Sequence, residues 1–221
     1  MIELISFMLL ALVLGFKHSY DSDHLIAVSN ILRKVNSVKS SVRVGLSWAV
    51  GHMLTATIIT ILLFIFKESF LNNVLPHFEK IVGALLIILG IFSLREFFSL
   101  HSHSHFHGKV VHSHPHVHIK NNKHSHHFHT HMFGIGIIHG LASNDELLIL
   151  FTASLAVTSL GGLLIGLSVF SIGVVLGMML FTIIFSYPLI KINSERVYKI
   201  VCFGTGSIGI AYGALMLSSI M

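Results

Sequence analysis

Long apolar runs separated by short polar ones set the plan of this chain. Runs of membrane-spanning length occur at about 2–32, 44–66, 80–98, 132–156, 163–187 and 200–219. A helix rises about 1.5 Å per residue, so roughly twenty apolar residues match a hydrocarbon core about 30 Å thick. The pattern predicts an all-α, polytopic membrane protein with six transmembrane helices. A polar stretch at 101–131 separates a first unit, 1–100, from a second, 132–221.

Composition agrees. Of 221 residues, 53% are hydrophobic and 10% charged, against about 25% charged in soluble domains. Basic residues fall in alternate loops: Arg33, Lys34, Lys39 and Arg43; then Arg95, Lys109, Lys120 and Lys123; then Lys191, Arg196 and Lys199. By the positive-inside rule these loops are cytoplasmic and both termini face outward. The excess of basic residues therefore follows membrane topology and implies no nucleic-acid partner. The single cysteine, Cys202, excludes a disulfide framework. The first run lacks a basic lead and a small-residue cleavage site, so it is expected to be a retained helix rather than a signal peptide.

One stretch resists the apolar pattern. Lys17, His18, Asp21, Asp23 and His24 interrupt the first run. Each charge near the bilayer centre costs roughly 2.5–3.5 kcal/mol on the insertion scale, against roughly 0.3–0.6 returned by an apolar neighbour. Such groups persist where partner helices, water or an ion satisfy them. On a regular helix His18, Asp21 and His24 share one stripe, and Lys17 can pair with Asp21 one turn on. A break near Ser19–Ser22 would instead turn Asp23 and His24 inward together, so either carboxylate is a candidate ligand. Two imidazoles with a carboxylate suit a borderline divalent ion better than Mg²⁺ or Ca²⁺.

The two halves resemble each other at an offset of 121 residues. Gly15-x-x-His18 aligns with Gly136-x-x-His139, Ser22 with Ser143, Gly45-Leu46-Ser47 with Gly166-Leu167-Ser168, Phe64 with Phe185 and Gly83 with Gly204. Three spans per repeat is an odd number, so the second copy is expected to be inverted, with ion sites where the repeats meet. This adds His139, Asp145 and Glu146 to the candidate metal ligands. His52, early in the second span, is a further candidate. Gly173, Gly177, Met178 and Met179 read as a close-packing seam with core methionines.

Residues 101–131 hold 13 of the 18 histidines, mostly alternating. With Gly108, Pro115 and Asn121-Asn122 interspersed, the segment is expected to be a disordered cytoplasmic loop that binds transition metals.

Together these motifs resemble the nickel/cobalt transporter (NiCoT) family. Its signature is similar to His18-Ser19-Tyr20-Asp21-Ser22-Asp23-His24 with Lys17 before it, and its second-span element to Val50-Gly51-His52-Met53. A later polar patch is loosely matched by Gly140 to Glu146. Leu176-Gly177-Met178 is present without the acidic residues that follow it in long members; Phe181 and Thr182 stand there, which points to the short six-span branch. The resemblance implies transport of Ni²⁺ or Co²⁺ through His18, Asp23 and His24, with His52 nearby, and no resident cofactor. Uptake is the favoured direction, with efflux as the alternative. An intramembrane metallohydrolase and a metal sensor or store are the readings of other classes. The absence of a G-x-x-x-x-G-K-[ST] motif removes direct use of ATP by this chain. Partners are the divalent ion and the bilayer, with a second copy or a cytoplasmic metallochaperone as further candidates.

If the His-rich segment only gathers ions, deleting 101–131 lowers transport efficiency but leaves translocation intact. Metal flux of the deletion variant at matched expression checks this, and complete loss of flux contradicts it.

Overall fold

The computed structural model describes residues 2–66, 75–99, 101–107, 110–116, 128–142, 160–192 and 194–218. Seven helices lie among them: α1 (Ile2–His18), α2 (Ser22–Leu32), α3 (Val38–Phe66), α4 (Leu75–Ser99), α5 (Phe128–Ala142), α6 (Leu160–Ile192) and α7 (Glu195–Ser218). Four of these are long and apolar enough to cross a membrane, and α1 with α2, bent by 54° at the break, is a candidate fifth span or a re-entrant loop. The predicted fourth span is described only as far as Ala142, as α5.

The first run is therefore not one regular helix. Its α1 ends at His18 and α2 begins at Ser22, so the stripe of His18, Asp21 and His24 expected on a continuous helix does not form. Asp21 caps α2 in an extended conformation, yet its carboxylate makes no capping hydrogen bond. That side chain is spent on His18 instead, as described below.

A second departure concerns the His-rich segment. Where an irregular loop was expected, His101–His107 pairs antiparallel with Val110–His116, His103 opposite His114. Alternation of His with Ser, Phe, Val and Pro has the period of two that a strand requires.

The helices pack chiefly as α4 with α7, α3 with α5, and α1 with α6, and α3 also lies along α6. These approaches are close because glycines face backbone. A Cβ on Gly15 would overlap the Phe170 carbonyl, and one on Gly136 would overlap that of Trp48. Without lipid-excluding hydrophobic force between helices, such backbone proximity supplies much of the association. Gly173 meets Leu12 and Phe16, and Gly177 meets Ser19, so the predicted seam closes on α1. Met178 is fully buried in the core with Trp48, Phe170, Leu32 and Met132. Large apolar side chains such as Leu9, Val13, Leu54, Ile58, Ile184 and Leu215 point outward, while His18, His24, His52 and His139 point in. That polarity suits a hydrocarbon surround.

A buried ionic knot ties three helix ends together. Arg33, counted in sequence as a loop charge, is buried, and its Nη2 lies 2.8 Å from Glu96 Oε2. Lys34 Nζ is 3.1 Å from the same oxygen, and Tyr198 O–H donates to the other. Arg33 also donates to Ser93, whose Oγ donates to the Cys202 carbonyl at 2.7 Å. Removing one partner of a buried pair strands the other charge, typically at about 3–5 kcal/mol. Glu96→Ala therefore lowers the thermal midpoint clearly, and Glu96→Gln lowers it less. Because Cys202 is buried and the chain's only cysteine, a thiol-reactive dye reads the unfolding; an unchanged midpoint in Glu96→Ala contradicts the assignment.

Candidate metal centre

The break after His18 creates the site. Helix termination leaves backbone groups without their ladder partners. The His18 carbonyl is used twice: it accepts from Asp21 N–H at 3.1 Å and from His24 Nδ1 at 2.9 Å. The second bond folds the first turn of α2 back onto the end of α1. His18 and His24 rings then meet edge to face, centroids 4.7 Å apart.

α3 contributes the third imidazole. His52 Nε2 lies 3.0 Å from His18 Nε2, and its ring is 4.8 Å from that of His24. His18, His24 and His52 are all fully buried, and each can offer a ligand atom within 4.8 Å of the others'. Buried imidazoles at these separations are costly unless they share a proton or an ion. Two nitrogens at 3.0 Å form a hydrogen bond when one carries the proton. With both as lone-pair donors, they converge on a cation.

The outer contacts fix which nitrogens face inward. His18 Nδ1 lies 2.9 Å from Asp21 Oδ2, and His24 Nδ1 serves the His18 carbonyl, so Nε2 is the inward atom of both. An Nδ1–H held by a carboxylate or carbonyl is the usual arrangement behind a metal-ligating histidine. Asp23 Oδ2 lies 3.5 Å from His24 Nε2, on the inward side. Its side chain is 14% exposed and that of Asp21 30%, so the carboxylates lie on the less buried edge of the cluster.

Of the expected ligands, the structure brings His18, His24 and His52 together, with both aspartates at the cluster's edge. His139, on α5, is fully buried one step away, its ring 5.9 Å from His24 and its Nδ1 bonded to the Ile135 carbonyl at 3.0 Å. Asp145 and Glu146 lie outside the described residues. Two contacts went unsingled in the sequence. Trp48 stacks on His52 at 4.8 Å, and Phe170 lies 5.5 Å from His18. Trp48 sits one helical turn before His52, the signal that could have placed it.

Over 213 residues, 96% of this chain, the sequence is 30% identical to the urease accessory protein UreH of a Bacillus strain, covering 90% of that protein. An alignment 95 residues long, which takes in 39% of this chain, is 28% identical to the nickel transporter NixA of Staphylococcus aureus and covers 28% of it. This chain belongs to the nickel/cobalt transporter family. It is a multi-pass protein of the cytoplasmic membrane and a member of a transporter family rather than an enzyme family. No family model matches the chain, and neither does any solved structure.

Proposed function

We propose that the chain carries Ni²⁺, or Co²⁺, across the membrane through the His18–His24–His52 cluster, with Asp23 as the fourth ligand and uptake as the direction. The single observation that carries this is the convergence of three buried imidazoles at a helix break, two of them held by outer hydrogen bonds. Neutral imidazoles suit Ni²⁺ and Co²⁺, and geometry set before binding suits the capture of a scarce ion. Asp21 acts through His18, holding its ring and raising its basicity.

The ion sheds water as it passes Asp23, is held by the three Nε2 atoms, and moves on to His139. Asp145 and Glu146 receive it on the far side. Six spans in two inverted repeats, with both termini outside, supply alternating access as one repeat rocks against the other. What supports the repeats is an exchange of contacts. Gly51 meets Phe133 and Ile137 as Gly173 meets Leu12 and Phe16, and Gly136 meets Trp48 as Gly15 meets Phe170. Gly83 meets Gly213 as Gly206 meets Gly90. A pseudo-twofold requires such a swap, first helix of one repeat against second of the other, third against third. The matching offset is 121 residues for the first helices of each repeat, 122 for the second and 123 for the third. The constant offset of the sequence alignment therefore gains one residue at each connection. On this reading the domains are 1–100 and 132–221, joined by the His-rich segment 101–131 as a cytoplasmic collector. A second copy or a metallochaperone are the partners such a collector would serve.

Losing an outer partner of a metal-bound histidine costs about 10- to 100-fold, and losing a ligand costs more. Asp21→Asn is expected to lower nickel flux about tenfold, and His18→Ala, His24→Ala and Asp23→Asn each by more than about a hundredfold. Flux is measured at matched membrane expression with radioactive nickel. Intact flux in all three ligand variants sinks the site, and net metal loss from cells carrying the chain assigns efflux instead.

A further inference from the structure

The three imidazoles are not held alike. His18 and His24 each have Nδ1 fixed at 2.9 Å by an oxygen. His52 Nδ1 is buried and has no hydrogen-bond partner among the described residues. A ligating histidine ordinarily has its second nitrogen fixed, which sets ring plane and tautomer. For His52 another contact has to set the plane.

That contact is Trp48. The indole lies one turn earlier on α3, fully buried, and stacks on the His52 ring with an interplanar angle of 15°. Stacking across a 4.8 Å centroid distance opposes rotation of the imidazole about Cβ–Cγ, which would tilt it off the indole. The indole N–H also has no hydrogen-bond partner among the described residues, so packing holds the ring, not a polar tether. The packing is tight: the Trp48 carbonyl abuts Gly136 of α5, and the indole centroid lies 4.8 Å from His24 and 6.0 Å from His139. The same ring therefore touches all of His24, His52 and His139.

We propose that Trp48 is a positioning residue of the metal site. It fixes the plane of His52 so that Nε2 faces His18 Nε2, and it flanks the three-imidazole cluster beside His139. The inference rests on the three-histidine reading above. On the other side Phe170, which occupies in α6 the place that Trp48 occupies in α3, covers His18 at 5.5 Å. The two rings close two sides of the cluster to water, and the edge at Asp21 and Asp23 stays open. A divalent ion entering there exchanges its water for buried imidazoles, where the low local dielectric strengthens each interaction.

The test uses the full chain. Trp48 is its only tryptophan, so intrinsic emission reports on this ring alone, and Ni²⁺ bound within contact distance quenches it. Wild type is expected to show saturable quenching by NiCl₂, and His24→Ala none. In uptake kinetics at matched expression, Trp48→Leu is expected to raise KM for nickel about tenfold, in line with loss of an outer partner, with Vmax little changed. Trp48→Phe, which keeps a stacking ring, is expected to restore most of that KM. A wild-type KM in Trp48→Leu overturns the proposal, as does equal damage in the Leu and Phe variants. Should Trp48→Leu not reach the membrane, emission and the Phe variant decide: an unquenched indole, or a Phe variant as damaged as His24→Ala, overturns it. Undiminished quenching and uptake in His24→Ala overturn the three-histidine site itself, whereas an inactive His24→Ala beside an unaffected Trp48→Leu overturns only the role of the ring.

Discussion

The carbonyl of His18 is shared between the Asp21 amide and the His24 imidazole, and the rest of the site depends on that sharing. A continuous helix would consume this oxygen in its own ladder and carry His24 past the cluster. Ending α1 here frees the oxygen, and the chain reuses it to bring the next turn back. Inside an apolar bundle a broken helix is tolerable only where its loose backbone groups find partners. Here the partner is itself a candidate ligand, so satisfying the break and building the site are one event.

The packing around the break serves the same end. Glycines let α1 lie against α6 and α3 against α5 at backbone distance, which places α3's His52 and Trp48 beside the break. The ionic knot of Arg33, Lys34, Glu96 and Tyr198 anchors the far end of α2 to α4 and α7. Thus α2 is held by an imidazole bond at one end and a buried ion pair at the other.

Much of this was legible from residue type and spacing. Charges in an apolar run announce the first motif, and its five ionisable groups in eight residues imply partner groups, water or an ion to satisfy them. His52 and His139 were legible as intramembrane histidines, and the seam of Gly173 and Gly177 as close packing. Trp48 and Phe170 were not, because an aromatic residue in an apolar run has the same signature whether it packs on lipid, on leucine or on a ligand. Glu96 escaped for the opposite reason: near a run's end a charge reads as solvated, and only the fold shows Arg33 and Lys34 against it. The paired strands at 101–116 were hidden by composition, since turn formers and histidine suggested disorder while the period of two spoke for a strand.

The central claim is that His18, His24 and His52 hold the transported ion. Crystals of the full chain grown with NiCl₂, with data on both sides of the nickel absorption edge, test it most directly. The account predicts an anomalous peak inside the imidazole cluster, bonded to Nε2 of those three residues. Nickel peaks confined to the His-rich segment, with none between the three rings, would contradict it.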